Sequence, residues 1–264
     1  MGKKFRVLIC IFLIFLIVYG YFYFKYKDKS FILVYHKINY YKSGLKSLYV
    51  RPELFDKQMR YLKNRGYKTV SLNRIVELIN NKQKFPKKIF TITFDDGYED
   101  NYIYAYPILK KYGYTATIFL ATKYIGKEHI YPGQSPEKHL SINEIKQMLD
   151  IIEFYSHSYS HPDFTKLSRK KIKDELIKSK KEIEKITAKN VDIFCYPFGK
   201  YNNTTIEILK QTGYKAGCSL EHKLIDFNSN LFILPRYEFK DINAMSINDF
   251  IKNFDFYLKT FLGI

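Results

Sequence analysis

Two short stretches of this chain combine residue types and spacings suited to catalysis. Asp95 and Asp96 end one apolar run, and His157 and His161 follow another. If both runs are strands of a parallel sheet, their carboxyl ends share one edge and can bring the four side chains together. One carboxylate with two imidazoles is an open ligand set for a catalytic divalent metal, and a second carboxylate beside it can act as a base.

Each half of this pattern also has an ordinary alternative. Asp-Gly is a common turn dipeptide, and a lone pair of histidines four residues apart occurs on many protein surfaces. The serines between the two histidines and Pro162 after them disfavour a regular helix, so we expect a loop to carry the pair. The combination of both halves favours one site.

The periodicity of the chain alternates between strand and helix. The predicted strands are residues 31–35, 68–70, 89–94, 115–121, 151–155, 191–196, 214–219 and 231–234. The predicted helices are residues 52–64, 72–81, 104–112, 142–149, 168–186 and 204–211. This order indicates an α/β fold with a parallel sheet, either open or closed into a barrel, and both forms place their sites at strand carboxyl ends.

Residues 7–24 form an almost unbroken apolar segment without charge. At about 1.5 Å of rise per residue it is long enough for a hydrocarbon core of roughly 30 Å. Lys3, Lys4 and Arg6 precede it, which predicts a cytoplasmic N-terminus and an extracellular remainder. A cleaved signal peptide is the alternative, but no small-x-small cleavage site follows. We expect an anchor and linker over residues 1–27, in the cell membrane as a single-pass helix.

The composition restricts the partners of the chain only in part. There are 44 Lys and Arg against 26 Asp and Glu, and the formal charge is +18. This charge suits anionic phospholipid head groups or an acidic wall polymer, although a Lys-rich composition throughout the chain explains it better. No nucleic-acid-binding motif accompanies the charge, so we expect no nucleic-acid partner. Three cysteines give no disulfide framework.

Three segments resemble the motifs of a known family. Residues 93–101 and 157–162 are similar to the first two motifs of the polysaccharide deacetylase family (carbohydrate esterase family 4, the NodB-homology domain), and residues 196–199 resemble the third. The resemblance extends over about residues 31–239. It implies a NodB-like domain over residues 28–264, folded as a distorted (β/α) barrel of about seven parallel strands.

The resemblance also implies a role for each matching residue. Asp95 matches the general base, and the backbone N–H of Phe198 matches the oxyanion donor. Asp96, His157 and His161 match the ligands of a divalent metal, most often Zn²⁺, with Co²⁺, Ni²⁺ and Fe²⁺ as alternatives for the same ligands. These roles fit metal-assisted hydrolysis of an acetamide.

Two positions depart from the pattern of the family. Cys195 stands where the third motif usually begins with Arg, so we expect Arg236 to supply the basic partner of Asp95. No histidine follows Arg236, although many members take their general acid from a C-terminal motif. We expect His36 to donate this proton, since imidazole titrates near neutral pH. An N-terminal histidine of this kind resembles the subgroup that deacetylates poly-β-1,6-N-acetylglucosamine.

The expected function is metal-dependent removal of acetyl groups from an extracellular N-acetylated polysaccharide. Poly-β-1,6-N-acetylglucosamine is the favoured substrate, and peptidoglycan is its nearest rival. A carbohydrate-binding protein without catalysis is the alternative from another class, but it would have no need for all four motif residues. The remaining histidines, His129, His139 and His222, lie in polar segments, and we expect them at the surface.

Overall fold

Strands and helices alternate along the chain in this computed structural model, which describes residues 3–130, 135–239 and 254–262. The strands are β1 (Ile32–Tyr35), β2 (Lys37–Ile38), β3 (Tyr49–Val50), β4 (Lys68–Thr69), β5 (Ile89–Phe94), β6 (Ala116–Leu120), β7 (Glu128–His129), β8 (Glu137–Lys138), β9 (Ile152–Ser156), β10 (Ile193–Cys195), β11 (Ala216–Cys218) and β12 (Tyr237–Glu238). The helices are α1 (Lys3–Tyr26), α2 (Pro52–Asn64), α3 (Leu72–Asn80), α4 (Tyr106–Tyr112), α5 (Ile142–Gln147), α6 (Arg169–Thr187), α7 (Asn203–Gln211) and α8 (Phe254–Leu262).

A curled parallel sheet forms the centre of the fold. Its strand order is β11-β10-β9-β6-β5-β1-β12, and β4 pairs with β5 beside this path. Every residue of β1, β5 and β6 is buried, which explains their continuous apolar sequences. Leu234 exchanges backbone hydrogen bonds of 2.8 Å with Gly217 and Ser219, so the segment before β12 links the two edges of the half-barrel. The predicted distorted barrel of parallel strands is confirmed.

Side-chain caps begin several helices where the sequence predicts them. The Ser71 hydroxyl accepts a hydrogen bond from the N–H of Arg74 at 3.1 Å. Ser141 and Glu144 form a reciprocal capping box at the start of α5. Each cap satisfies N–H groups that the first helical turn leaves without an intrahelical partner. On α6, one apolar stripe is buried over the sheet: Ile172, Leu176 and Ile183.

Two predicted elements differ from the structure. Residues 231–234 were expected to form the last strand, but Leu231–Ile233 is a 3-10 turn, and the last strand is β12. The Asn230 side chain accepts the N–H of Phe232 at 3.0 Å, and this local bond favours the turn. The helix predicted over residues 104–112 begins with a π-helical segment at Asn101–Ala105, because Pro107 has no N–H for regular α-helical pairing.

Helix α1 has the length and composition to cross a membrane. Its 24 residues span about 36 Å, and the most apolar 18-residue window within its apolar part, Phe5–Tyr26, has a mean hydropathy of 2.6. This part is not buried against the domain, apart from its last turn, where Tyr26 is fully buried and its carbonyl accepts a hydrogen bond from Lys259 Nζ at 2.8 Å. The helix is therefore a candidate membrane span, and a signal sequence has the same characteristics.

Candidate active site

Three strands of the central sheet, β1, β5 and β9, end at the candidate active site. His36 follows β1, Asp95 follows β5 and His157 follows β9. The N–H of Asp95 donates to Tyr35 O and that of His157 donates to Leu120 O, both at 2.9 Å. These bonds extend the ladders by one residue and fix the backbone from which the reactive side chains project. As the parallel arrangement requires, the three residues lie at the carboxyl edge.

Asp96, His157 and His161 form a group that can hold a metal ion. Their ligand atoms all lie within 4.8 Å of one another. Asp96 Oδ1 is 3.7 Å from His157 Nε2 and 3.3 Å from His161 Nε2. Asp96 is buried, and within the described part of the chain its Oδ1 has no hydrogen-bond partner. A divalent cation would satisfy this oxygen and both nitrogens, so the donor set fits a metal.

The backbone around these ligands fixes their orientation. His157 Nδ1 lies 2.8 Å from the carbonyl oxygen of Cys195, which can only accept, so Nδ1 carries the proton and the Nε2 lone pair faces Asp96. Asp96, Ser158 and His161 have φ angles of 70°, 70° and 59°. Left-handed backbone is uncommon for residues other than glycine, and three such residues at one site indicate a functional constraint. Both histidines lie on a loop, as predicted.

The two imidazoles are held in their neutral form. Burial lowers the pKa of His157 to about 4 and that of His161 to about 4. Neutral imidazole is the form that binds a metal, so the site needs no proton release from these rings at neutral pH.

Arg236 forms a buried bidentate ion pair with Asp95. Its Nη1 and Nη2 donate to the two carboxylate oxygens at 2.7 Å and 2.8 Å, and the two residues are 0% and 2% exposed. The guanidinium also donates to Ser219 O at 3.0 Å and to Thr93 Oγ1 at 3.1 Å. Burial alone would raise the pKa of Asp95, but Arg236 holds that pKa well below its usual range. Asp95 is therefore ionised and rigidly oriented.

Cys195 contacts both members of this ion pair. Its Sγ lies 3.6 Å from Asp95 Oδ2 and 3.0 Å from Arg236 Nη2. The side chain is fully buried, and burial raises the pKa of the thiol. The sequence shows only that Cys195 replaces a motif arginine; in the structure Arg236, which directly precedes β12, supplies the guanidinium beside it.

His36 faces Asp95 from the adjacent strand. Its Nε2 is 3.8 Å from Asp95 Oδ2, and its side chain is 17% exposed. The carbonyl of His36 accepts a hydrogen bond from Asn101 Nδ2 at 2.9 Å. Asn101 belongs to the first motif, but the sequence pattern does not reveal this contact. A partly exposed imidazole at the rim can exchange protons with both solvent and a reacting group.

Phe198 lies beside His161, one of the candidate metal ligands. Its ring centroid is 4.6 Å from that of His161, and the residue is 55% exposed. Phe198 has a φ of 61° within the turn Pro197–Gly199. The turn depends on Gly199, since an added Cβ there would lie 2.8 Å from the Leu220 side chain. An exposed aromatic ring at this rim is a suitable platform for a sugar ring.

The sequence predicts that His129, His139 and His222 lie at the surface. This prediction is wrong for His139, which is buried, whereas the other two are half-buried rather than fully exposed. His139 is 3% exposed, with ring centroids 5.0 Å from Tyr98 and 5.5 Å from Tyr124. His129 is half-buried and stacks on Tyr124 at 3.7 Å, and His222 is also half-buried. Tyr98, which packs on His139, comes from a distant part of the chain, so the polar local sequence concealed the burial of His139.

The curled parallel sheet carries paired carboxylates and histidines at its carboxyl edge, an arrangement suited to hydrolysis, and comparison with known proteins identifies the family. The family profile described as polysaccharide deacetylase matches residues 82–217. The poly-β-1,6-N-acetyl-D-glucosamine N-deacetylase of Staphylococcus aureus (strain MRSA252) is 32% identical over 241 residues, covering 82% of this chain and 81% of that protein. The chain belongs to the polysaccharide deacetylase family and is an enzyme of that class.

Solved structures show the same fold. A Streptococcus pyogenes deacetylase, PplD in complex with acetate, superposes with a TM-score of 0.73 at 29% identity, over 86% of this chain and 98% of that one. IcaB from Ammonifex degensii superposes with a TM-score of 0.72 at 20% identity, over 87% and 97% of the two chains. The similarity thus includes nearly the whole of both solved chains.

Proposed function

We propose that the chain is a metal-dependent N-deacetylase that acts on extracellular poly-β-1,6-N-acetylglucosamine. The observation that carries the proposal is the arrangement of two adjacent carboxylates with different environments. Asp96 faces two neutral imidazoles, whereas Asp95 is paired with Arg236. The similarity to the Staphylococcus aureus enzyme over 81% of its length supports the choice of substrate.

The mechanism assigns one task to each side chain. Asp96, His157 and His161 would hold the metal, which supplies Lewis acidity when bound; zinc is the expected ion. Asp95, kept ionised by Arg236, accepts the proton of the attacking water.

Two further groups complete the mechanism. The backbone N–H of Phe198 donates to the oxyanion of the tetrahedral intermediate. His36, 3.8 Å from Asp95, donates a proton to the departing amine, which leaves poorly as an anion. The acetamide C–N bond breaks, the water oxygen joins the acetyl carbon, and acetate and the free amine are the products.

The same proposal assigns residues 1–27 to a membrane anchor with a linker and residues 28–264 to an extracellular NodB-like domain. The length and apolar character of α1 support the anchor, and Lys3, Lys4 and Arg6 before its uncharged apolar run support the outward orientation of the domain. The strand carboxyl ends carry the site, while β1 starts only a few residues after α1. The mouth of the site would therefore face away from the membrane and towards an extracellular polymer.

Acetate release from a panel of defined substrates tests the proposal. The zinc-loaded full chain is given β-1,6-linked and β-1,4-linked N-acetylglucosamine oligomers of equal length, and peptidoglycan. We expect the highest kcat/KM on the β-1,6-linked oligomer and a fall of about 10²- to 10⁴-fold for Asp95→Asn. Faster turnover of peptidoglycan would contradict the substrate, and metal binding without acetate from any polymer would indicate a carbohydrate-binding protein.

A further inference from the structure

Lys37 is a buried cation next to the proposed general acid. Its side chain is fully buried, although it directly follows the partly exposed His36. Its ammonium nitrogen lies 4.5 Å from the ring centroid of Tyr49 and 4.7 Å from that of Tyr98. The same nitrogen is 3.1 Å from the Tyr49 hydroxyl and 3.5 Å from Glu137 Oε1. Lysine is almost never fully buried without such partners, so this position is built for a cation.

Glu137 is the anionic partner of this cation. It is 7% exposed, and its Oε1 accepts hydrogen bonds from Tyr49 at 2.8 Å and Ser135 at 3.1 Å. Lys42, 57% exposed, lies 3.6 Å from its other oxygen. Glu137 belongs to β8, whereas Lys37 belongs to β2, 100 residues earlier. The ion pair therefore connects the backbone just after β1 to the hairpin of β7 and β8, which lies far away along the chain.

Residues 36–38 are also tied to the segment that follows the aspartate pair. Asn101 Nδ2 donates to the carbonyl of His36 at 2.9 Å, and the N–H of Ile38 donates to Asp100 Oδ1 at 3.1 Å. Both partners are buried. Each of the three consecutive residues thus has a polar contact with another part of the fold, and the contact of Lys37 with Glu137 is the ion pair among these three contacts.

We propose that Lys37, through its ion pair with Glu137, is a positioning residue that holds His36 at proton-transfer distance from the scissile amide. The proposal rests on the general-acid role given to His36 in the proposed function. Successive side chains of extended backbone point to opposite sides, so anchoring Lys37 inward directs His36 towards the mouth. A buried charge has few favourable locations, which restricts the backbone at residue 36 in a way that an apolar side chain of equal volume would not.

Parallel hydrolysis of an amide and of an activated ester separates positioning from a purely structural role. An amine must be protonated to leave, whereas 4-nitrophenolate leaves without a general acid. For zinc-loaded full-length Lys37→Met, we expect kcat on the N-acetylglucosamine oligomer to fall about 10- to 100-fold with KM nearly unchanged. The 4-nitrophenyl acetate rate should stay within about threefold of that of the parent. Lys42→Met, which removes an exposed lysine beside the same Glu137, is the matched control and should alter neither rate.

His36→Ala distinguishes failure of this inference from failure of the proposed function. Equal losses on amide and ester for His36→Ala would remove the general-acid role and the positioning role with it. An amide-selective loss for His36→Ala, with equal losses or none for Lys37→Met, would overturn the positioning role alone. If Lys37→Met does not fold, Glu137→Gln keeps the shape of the partner without its charge. It should show the same amide-selective loss, and equal losses on both substrates would overturn the inference.

Discussion

Replacing Arg236 with methionine removes the guanidinium that forms the bidentate ion pair with Asp95. The substitution keeps much of the side-chain length but leaves a 2% exposed carboxylate without its two charged hydrogen bonds of 2.7 Å and 2.8 Å. In the parent chain these bonds hold the pKa of Asp95 well below its usual range. The Arg236→Met variant should therefore raise that pKa and remove the ionised base at acidic pH.

The size of the effect follows from the geometry of the pair. Unit charges about 4 Å apart interact by about 4 kcal/mol at an effective dielectric constant near 20. Since one pKa unit corresponds to about 1.36 kcal/mol, the loss raises the pKa of Asp95 by about 3 units. Burial then acts unopposed in the same direction, so the pKa ends above the ordinary aspartate value of about 3.9.

The pH dependence of kcat/KM for acetate release measures this shift. The active form requires ionised Asp95. The acid limb of the kcat/KM profile should therefore move upward by about 3 pH units in Arg236→Met. Thermal unfolding at each pH checks that the variant is folded, since loss of one member of a buried pair costs about 3–5 kcal/mol. The double variant Cys195→Arg with Arg236→Met moves the guanidinium to a neighbouring position, 3.6 Å from Asp95 at Sγ, and should lower the limb again. A folded Arg236→Met with an unchanged acid limb would refute the electrostatic role.

Three further outcomes test other parts of the structure. Gly97→Ala should lower the free energy of unfolding by about 1–3 kcal/mol in denaturant titrations, because the new Cβ would lie 2.6 Å from Leu120 Cδ2 and the φ is +75°. His161→Ala should weaken zinc binding in equilibrium dialysis by more than the roughly 10- to 100-fold typical of a lost outer partner, and unchanged affinity would exclude it as a ligand. Since the native pKa of Asp95 is lowered, its stabilisation exists above the unfolded pKa of about 3.9 and is lost as pH falls through the native pKa. The unfolding free energy should accordingly decrease less on acidification in Asp95→Asn than in the parent, and equal slopes would contradict this.

The strand framework could be predicted because its signals are local. Strand β5 has the predicted bounds, Ile89–Phe94, since a continuous apolar run ends abruptly at two carboxylates. The capping box at Ser141 is likewise encoded within four residues. The apolar run at residues 231–234 shows the limit of such signals, because the side chain of Asn230 bonds the neighbouring backbone and bends the run into a turn.

Contacts between distant residues could be predicted from the sequence only where a family motif indicated that a partner was missing. Cys195 replaces the motif arginine, so another basic residue is expected beside Asp95, and the structure places Arg236 at that carboxylate. Nothing comparable marks Lys37, because a lysine in a polar stretch is normally read as exposed and its partner Glu137 is 100 residues away. His139 was misjudged for the same reason.

Zinc titration of the metal-free full chain, followed by acetate release from a β-1,6-linked N-acetylglucosamine oligomer, tests the central assignment most directly. If Asp96, His157 and His161 hold the catalytic ion, activity should be absent after chelation and should rise linearly to a plateau at one zinc per chain. Full deacetylase activity in the metal-free protein would contradict the assignment.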